Sequence, residues 1–212
     1  QEAMWLSWPH KEESWPGKIQ TIYAPYAQFV KEVASGQEVH INVADETMQA
    51  FAKQQLELAG VRMDRVQFHF FPTNDAWCRD HGPAFLINPT AALPKVLVKW
   101  NYNAWGEKYP PHDLDNQIPI HIAKELGIPY FTPGIVMEGG SVEFNGKGTL
   151  LTSKACLLNP NRNPHLNQAQ IEKYLCDYYG VQHILWVGDG ILGDDTDGHI
   201  DDITRFVNAD TV

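Results

Sequence analysis

Apolar and polar residues alternate along Glu38–Val43 (EVHINV), the period-two signature of a strand. The period then changes. Met48, Phe51, Ala52, Leu56 and Ala59 recur on one helical face, with Asp45 placed to cap the start and Gly60 to stop the end. Val66–Phe71 and Lys95–Trp100 read as further strands, followed by a helix from about Asn116 to Leu126 carrying Ile118, Ile122, Ala123 and Leu126 at helical spacing. Asn167 and Gln170 have the spacing of a capping box for a helix with Ile171, Tyr174, Leu175 and Tyr178 inward and Gly180 as its stop. His183–Val187 and Ile203–Val207 read as strands. Strands alternating with helices predict an α/β fold.

Three segments share a shape. RDHGPAFLIN from Arg79, MEGGSVEFN from Met137 and DGHIDDITRFVN from Asp197 each put an acid or a histidine in a glycine turn ahead of a short apolar strand. Asp80, Glu138 and His199 are 58 and 61 residues apart. That spacing suggests modules of about 60 residues round a shared centre.

The 212 residues, 43% hydrophobic and 20% charged, have a globular composition, and no run reaches the length of a membrane span. The opening QEAMWLSWPHKEESW lacks the basic and apolar regions of a signal peptide. Three widely spaced cysteines, Cys78, Cys156 and Cys176, suit a reducing compartment rather than a disulfide framework or a zinc site. The net charge of −10, without any Lys/Arg cluster, argues against nucleic acid as a partner. It fits either plain solubility or the steering of a small cationic substrate.

Four motifs carry candidate chemistry. In NDAWCRDHGP, a carboxylate (Asp80) beside an aromatic ring (Trp77) makes a site for a planar cation, although turn-capping and core packing are the ordinary uses of such residues. GDDTDGHIDD suggests calcium, but aligning Gly198 with the EF-hand glycine puts Gly193 and Thr204 at the acidic ligand positions, so that alignment fails. His199 among carboxylates is instead a candidate general acid/base, and a strand from Gly198 would turn His199 and Asp201 to one face. In MEGGSVEFNGKGTLL, Glu138 sits in an apolar strand-like run where a carboxylate is costly unless paired, with His199 the candidate partner. Neither phosphate-loop spacing is present. In WNYNAWGEKYPPHDLDNQIP, Trp100, Tyr102, Trp105 and Tyr109 are core anchors or a wall over a cationic ligand.

Taken together, WLSWPH, NDAWCRDHGP, WNYNAWGEKYPP, MEGGSVEFNGKGTLLT, ACLLNPNRNP and GDDTDGHIDDITRFV resemble the agmatine deiminase family, which also holds the bacterial-type peptidylarginine deiminases. The resemblance implies an α/β fold of the pentein type, a propeller of five modules. Residues 1–212 would be a single catalytic domain, the N-terminal three-fifths of that fold, with the C-terminal modules absent and a few residues missing from the start. It implies a hydrolase converting a guanidinium to a urea and ammonia through a covalent cysteine intermediate, with no metal and no cofactor. Asp80 and Asp201 would hold the guanidinium, His199 would be the acid/base oriented by Glu138, and Trp77 and Trp105 would shape the substrate pocket. Two carboxylates match the planar donor fork of a guanidinium and fix its carbon for attack.

The family's nucleophile follows the GHIDD segment, and none of the three cysteines matches it. Cys156 and Cys176 are expected to be structural. Cys78, if extended, would share a face with Asp80, but family members place aromatics there. The expected reaction is agmatine to N-carbamoylputrescine, in putrescine biosynthesis and polyamine metabolism, with peptidyl-arginine as the alternative substrate. A binding module that does not catalyse, and transfer to an amine rather than water, are further alternatives. The expected partner is a small guanidinium cation in the cytoplasm, with neither nucleic acid nor membrane, and a homodimer left open.

Overall fold

The computed structural model describes residues 1–212. They divide into two compact units, one of residues 1–78 with 112–118, the other of residues 79–111 with 119–212.

In the first unit, β1 (Ala3–Ser7), β2 (Glu38–Asn42) and β3 (Val66–His69) form a parallel sheet in the order β1-β2-β3. Parallel neighbours need crossovers, and two helices supply them. The helix α1 (Ile19–Ala34) lies between β1 and β2, and α2 (Glu46–Leu58) between β2 and β3. Asp45 caps α2 as its position predicts, accepting from the Met48 amide at 2.8 Å. Val39 and Ile41 of β2 and Ala52 and Leu56 of α2 have no exposed surface, and they share one core with Trp8, Val30 and Tyr23. Each buried valine, isoleucine or leucine side chain contributes roughly 1.5–3 kcal/mol by leaving water. The sequence pattern left α1 unassigned. Its buried residues Ile19, Tyr23, Ala27, Val30 and Ala34 do have helical spacing, but Pro25 lies inside it and no side chain caps its start. Both features mimic a break.

The second unit contains two sheets of one design. β4 (Ala84–Ile87) runs antiparallel to β5 (Lys95–Val98), which runs parallel to β6 (Tyr130–Phe131). β7 (Val142–Phe144), β8 (Thr149–Ser153) and β9 (His183–Val187) repeat that pairing. Equivalent strands start 58, 54 and 53 residues apart, close to the spacing of the sequence motifs. A helix precedes the third strand of each sheet: Ile118–Leu126 before β6 and Gln168–Tyr179 before β9. The first of these was expected from Asn116, but Asp115–Gln117 is a 3-10 turn, and Pro119 sits in the opening turn of the α-helix, where its missing N–H costs nothing. The second has the full capping box, Asn167 accepting from Gln170 and Gln170 answering at the Asn167 amide.

Two strand expectations fail. Gly198–Asp202 is not a strand, since Ile200–Asp202 is a 3-10 turn. Ile203–Val207 forms no ladder. It is tied down by the side chain of Glu143, which accepts from the Phe206 amide at 3.2 Å and pairs with Arg205 at 2.9 Å. The third sequence unit therefore shares its turn chemistry with the other two but not their strand. Cys78 is not extended either, because Cys78–His81 is a single helical turn, and residues two apart on a helix point to different faces.

Asn167→Ala removes one arm of the capping box and leaves the first-turn amides unpartnered. Urea unfolding should show a loss of about 1 kcal/mol. An unchanged midpoint and slope would mean that burial of Ile171 and Leu175 alone fixes this helix end.

Candidate active site

Asp80, Trp105, Glu138, His199 and Asp201 all belong to the second unit, and four turns bring them together. Asp80 stands on the helical turn Cys78–His81 and is buried. Its Oδ1 accepts from the Gly140 amide at 2.9 Å, and its Oδ2 accepts from the Trp105 indole at 3.2 Å. The Glu-Gly-Gly sequence has a steric reason. A Cβ on Gly140 would collide with the His199 ring and lie 2.8 Å from Asp80 Oδ1, and one on Gly139 would collide with the Arg79 carbonyl. Only a bare backbone lets this 3-10 turn, Gly139–Ser141, approach Asp80 and His199 so closely.

Trp105 is delivered by an unusual turn. Ala104, Trp105, Gly106 and Glu107 all have positive φ (49°, 56°, 87° and 65°), one left-handed turn containing three residues that ordinarily avoid that region. Asn103 closes it by accepting from the Gly106 amide at 2.9 Å. Tyr102 and Tyr109 meet the buried indole edge-on at 5.6 and 5.7 Å. Strain of this kind persists only where surrounding contacts over-determine it.

Glu138 has no exposed surface, and the cation beside it is Arg162, whose Nε donates to Oε1 at 2.5 Å. His199 is also buried, with Nδ1 at 3.6 Å from an Asp80 oxygen and 4.0 Å from an Asp201 oxygen. Asp201 keeps some contact with solvent and accepts from Arg79 Nε at 3.3 Å. The acidic run before His199 is a folded turn. Asp194 accepts from the Thr196 hydroxyl and the Gly198 amide, and Thr196 Oγ1 accepts from the His199 amide at 3.1 Å. Asp197, at φ 64°, takes Arg162, Asn161 and Lys108.

Burial governs the protonation states. It pushes the Asp80 carboxyl up to about 7; the Gly140 amide pulls back, and Asp201 adds to the rise. It lowers the His199 imidazole, against the pull of Glu138 and Asp201, so the ring is disposed to be neutral. Burial also holds the Glu138 carboxyl above its ordinary range, with Arg162 and then His199 pulling the other way. Burial works against the charge of Arg162, but Glu138 and its other anionic partners outweigh it, and the fixed guanidinium charge favours the carboxylate.

Cys156 is buried beside Glu138 and His199. Its sulfur and ligand atoms of Glu138 and His199 are within 4.8 Å of one another, the one combination here that resembles a metal-ligand set. The chemistry of these groups does not suit a divalent ion. A divalent ion on Glu138 would face the Arg162 guanidinium, and burial followed by the charge of Glu138 pushes the Cys156 thiol well up, away from the thiolate a metal needs. The same rise disfavours the thiolate that a nucleophile needs. Cys78 is buried in the first unit, where Trp77 also lies, tilted against Trp15 at 5.5 Å. A cavity of about 290 Å³ lined by Arg79, Phe85, Trp100, Gly139, Phe144 and Tyr179 includes none of the acidic residues, and Arg79 and Gly139 border both it and the acidic cluster.

His199 was the expected partner of Glu138. The structure brings the two within 4.8 Å without a hydrogen bond between them, and Arg162 is the direct ion-pair partner, a residue that the motifs did not single out. The signal was available: a buried carboxylate calls for a cation, and NPNRNP holds an arginine in a polar turn. Arg79 and Asp197 were also passed over, although both stand inside motifs already marked.

The model of the Porphyromonas-type peptidyl-arginine deiminases matches residues 1–212. A protein of Pseudomonas syringae pv. tomato named agmatine deiminase is 36% identical over 217 residues, covering 100% of this chain and 57% of its own length. A solved C. jejuni agmatine deiminase with substrate bound is 34% identical, with a TM-score of 0.86, covering 99% of this chain and 60% of that one. An Enterococcus faecalis agmatine deiminase is 33% identical, with a TM-score of 0.87, over 98% of this chain and 56% of that one. The chain thus spans 57% of the length of such curated relatives. With a family match over its whole length and a shared mixed α/β fold, the chain belongs to the family of Porphyromonas-type peptidyl-arginine deiminases, alongside the agmatine deiminases.

Proposed function

We propose that the whole protein is a guanidinium hydrolase, with agmatine as substrate and N-carbamoylputrescine and ammonia as products. The observation that carries this is the placement of two carboxylates, Asp80 and Asp201, against the same Nδ1 edge of a buried histidine. A guanidinium is planar, permanently charged and rich in donors, and two converging carboxylates match it. Arg79 on Asp201 already shows one guanidinium held by one of them.

In this reading Asp80 and Asp201 clamp the guanidinium and Trp105 covers it, while Trp77 keeps a pocket role on family resemblance alone. A cysteine thiol, expected from the family's segment after GHIDD, gives its proton to His199 and adds as the thiolate to the guanidinium carbon. His199 protonates the departing nitrogen, which leaves as ammonia. The imidazole then takes a proton from the water that attacks the S-linked carbon, and the thiolate leaves as the ureido product forms. Glu138 stabilises the imidazolium that forms before ammonia leaves and again when water gives up its proton. We further propose that residues 1–212 form one catalytic domain of a five-module propeller, for which the repeated β4-β5-β6 and β7-β8-β9 pairing is the support. No helix is long and apolar enough to cross a membrane, and a cytoplasmic setting is proposed with the small-molecule substrate. Peptidyl-arginine is the second reading, favoured by the family that matches the chain.

Asp80→Asn and Asp201→Asn should each weaken agmatine binding by roughly 10- to 100-fold, since a charge-assisted hydrogen bond is worth about 1.5–3 kcal/mol. Calorimetry with agmatine, an arginine peptide and putrescine as the guanidinium-free control reads this. Equal binding of putrescine, or unchanged affinity in both variants, would remove the clamp.

Binding should also depend on pH through Asp80. Its carboxyl must be ionised to hold a cation and is pushed up to about 7 in the free protein, so agmatine affinity should rise as pH climbs through 7. Asp80→Asn should flatten that rise. For stability the sign is opposite: a raised carboxyl favours the fold at low pH, and that contribution is lost between the unfolded value of 3.8 and about 7.

Gly140→Ala should displace both Asp80 and the His199 ring. Overpacking of this kind costs about 1–3 kcal/mol in urea unfolding, and agmatine binding should fall with it. Parent-like values of both would show that the close approach is not required.

A further inference from the structure

Arg162 is the centre of a line of alternating charges running from the surface to the acid/base pair. Its guanidinium is fully buried. Nε donates to Glu138, Nη1 to Asp197 Oδ2 at 2.7 Å and Asn161 Oδ1 at 2.7 Å, and Nη2 to the Thr196 carbonyl at 2.8 Å. Asp197 then accepts from Lys108 Nζ at 2.6 Å, and Lys108 reaches solvent. The order is therefore Lys108 positive, Asp197 negative, Arg162 positive, Glu138 negative, and last the imidazole of His199. Beyond it, Glu138 Oε2 and His199 Nε2 are both buried without a hydrogen-bond partner.

We infer that Arg162 is a positioning residue whose fixed charge takes the place of a proton in the buried Glu138–His199 pair, and that Asp197 trims this charge from the other side. With Arg162 present, a carboxylate and a neutral imidazole are already balanced. Neutralise Arg162, and a buried anion stands alone, the state that proteins avoid by binding a proton. The proton would go to Glu138 as a carboxylic acid or to His199 as an imidazolium. In either case the pair would hold its proton before the reaction delivers one. The other groups facing the pair do not alter this count between variants: Asp80, Asp201 and Asp194 remain, and the Cys156 thiol stays protonated. The catalytic meaning rests on the deiminase reading above, but the charge effect does not.

The test needs no substrate, so its failure is separate from failure of that reading. The chain, with labelled histidine, is titrated by NMR at His199 and by infrared difference at the carboxyl stretch, with Glu138→Gln assigning the band. Arg162→Met should move the pair's proton uptake upward by about one pH unit or more. Asp197→Asn should move it downward by a smaller amount. Arg162→Lys, which keeps the charge, should restore the parent titration. Shifts of opposite sign in the two charge variants carry the inference, since loosened packing would shift both alike. Shifts of the same sign, or a parent titration in Asp197→Asn, would overturn it, and Asp197→Asn with Arg162→Lys decides the matter even where Arg162→Met does not fold.

Discussion

A carboxylate with no exposed surface is among the costliest groups a fold can bury, and much of the second unit's local structure answers to Glu138. Arg162 supplies the opposing charge, but a buried guanidinium needs acceptors for the rest of its donors. Asn161, Thr196 and Asp197 meet that need from two separate turns. Asp197 adopts positive φ to do so, and the turn it belongs to is the one that presents His199. Satisfying one buried ion pair thereby fixes where the imidazole stands.

The second constraint is space. Asp80 and His199 can stand 3.6 Å apart beside Gly140 only because no side chain intrudes there. The amide that this exposes is used, since it donates to Asp80. On the opposite side the left-handed turn at Ala104–Glu107 presses its bare Gly106 against Asn161, where a Cβ would collide. That asparagine also donates to Asp197 at 2.9 Å. The turn that carries Trp105 and the turn that carries His199 are thus linked through Asn161 and Asp197, as well as through Lys108.

Local chemistry made much of this visible in the sequence. Asp45, Asn167 with Gln170, and Gly180 mark helix ends by interactions confined to a few residues, and they hold in the structure. Asp80, Glu138, His199 and Asp201 stand out as polar groups in apolar or glycine-rich settings. What stayed hidden depends on distant pairing. Ile203–Val207 has the composition of a strand, but a strand exists only where a neighbour accepts its ladder, and here Glu143 takes the backbone instead. α1 was masked by Pro25, whose cost its packing against the sheet outweighs. Arg162 lies 24 residues from Glu138, and only the fold shows that the two share one pair.

The charge states point to a site designed to wait. A buried Asp80 held near neutrality, a neutral-leaning His199 and a Glu138 already matched by Arg162 leave little uncompensated charge at rest. A guanidinium entering between Asp80 and Asp201 would reverse that balance, favouring ionised Asp80 at once. An ammonium ion could satisfy the charge but not both carboxylates in one plane, because its donors point tetrahedrally rather than as a fork. Selectivity and activation would then have a common origin. On the proposed deiminase reading, the ligand that drives Asp80 to the carboxylate would be the one whose flat shape also sets its carbon beside His199, and Arg162 would keep Glu138 free to receive the imidazolium that follows.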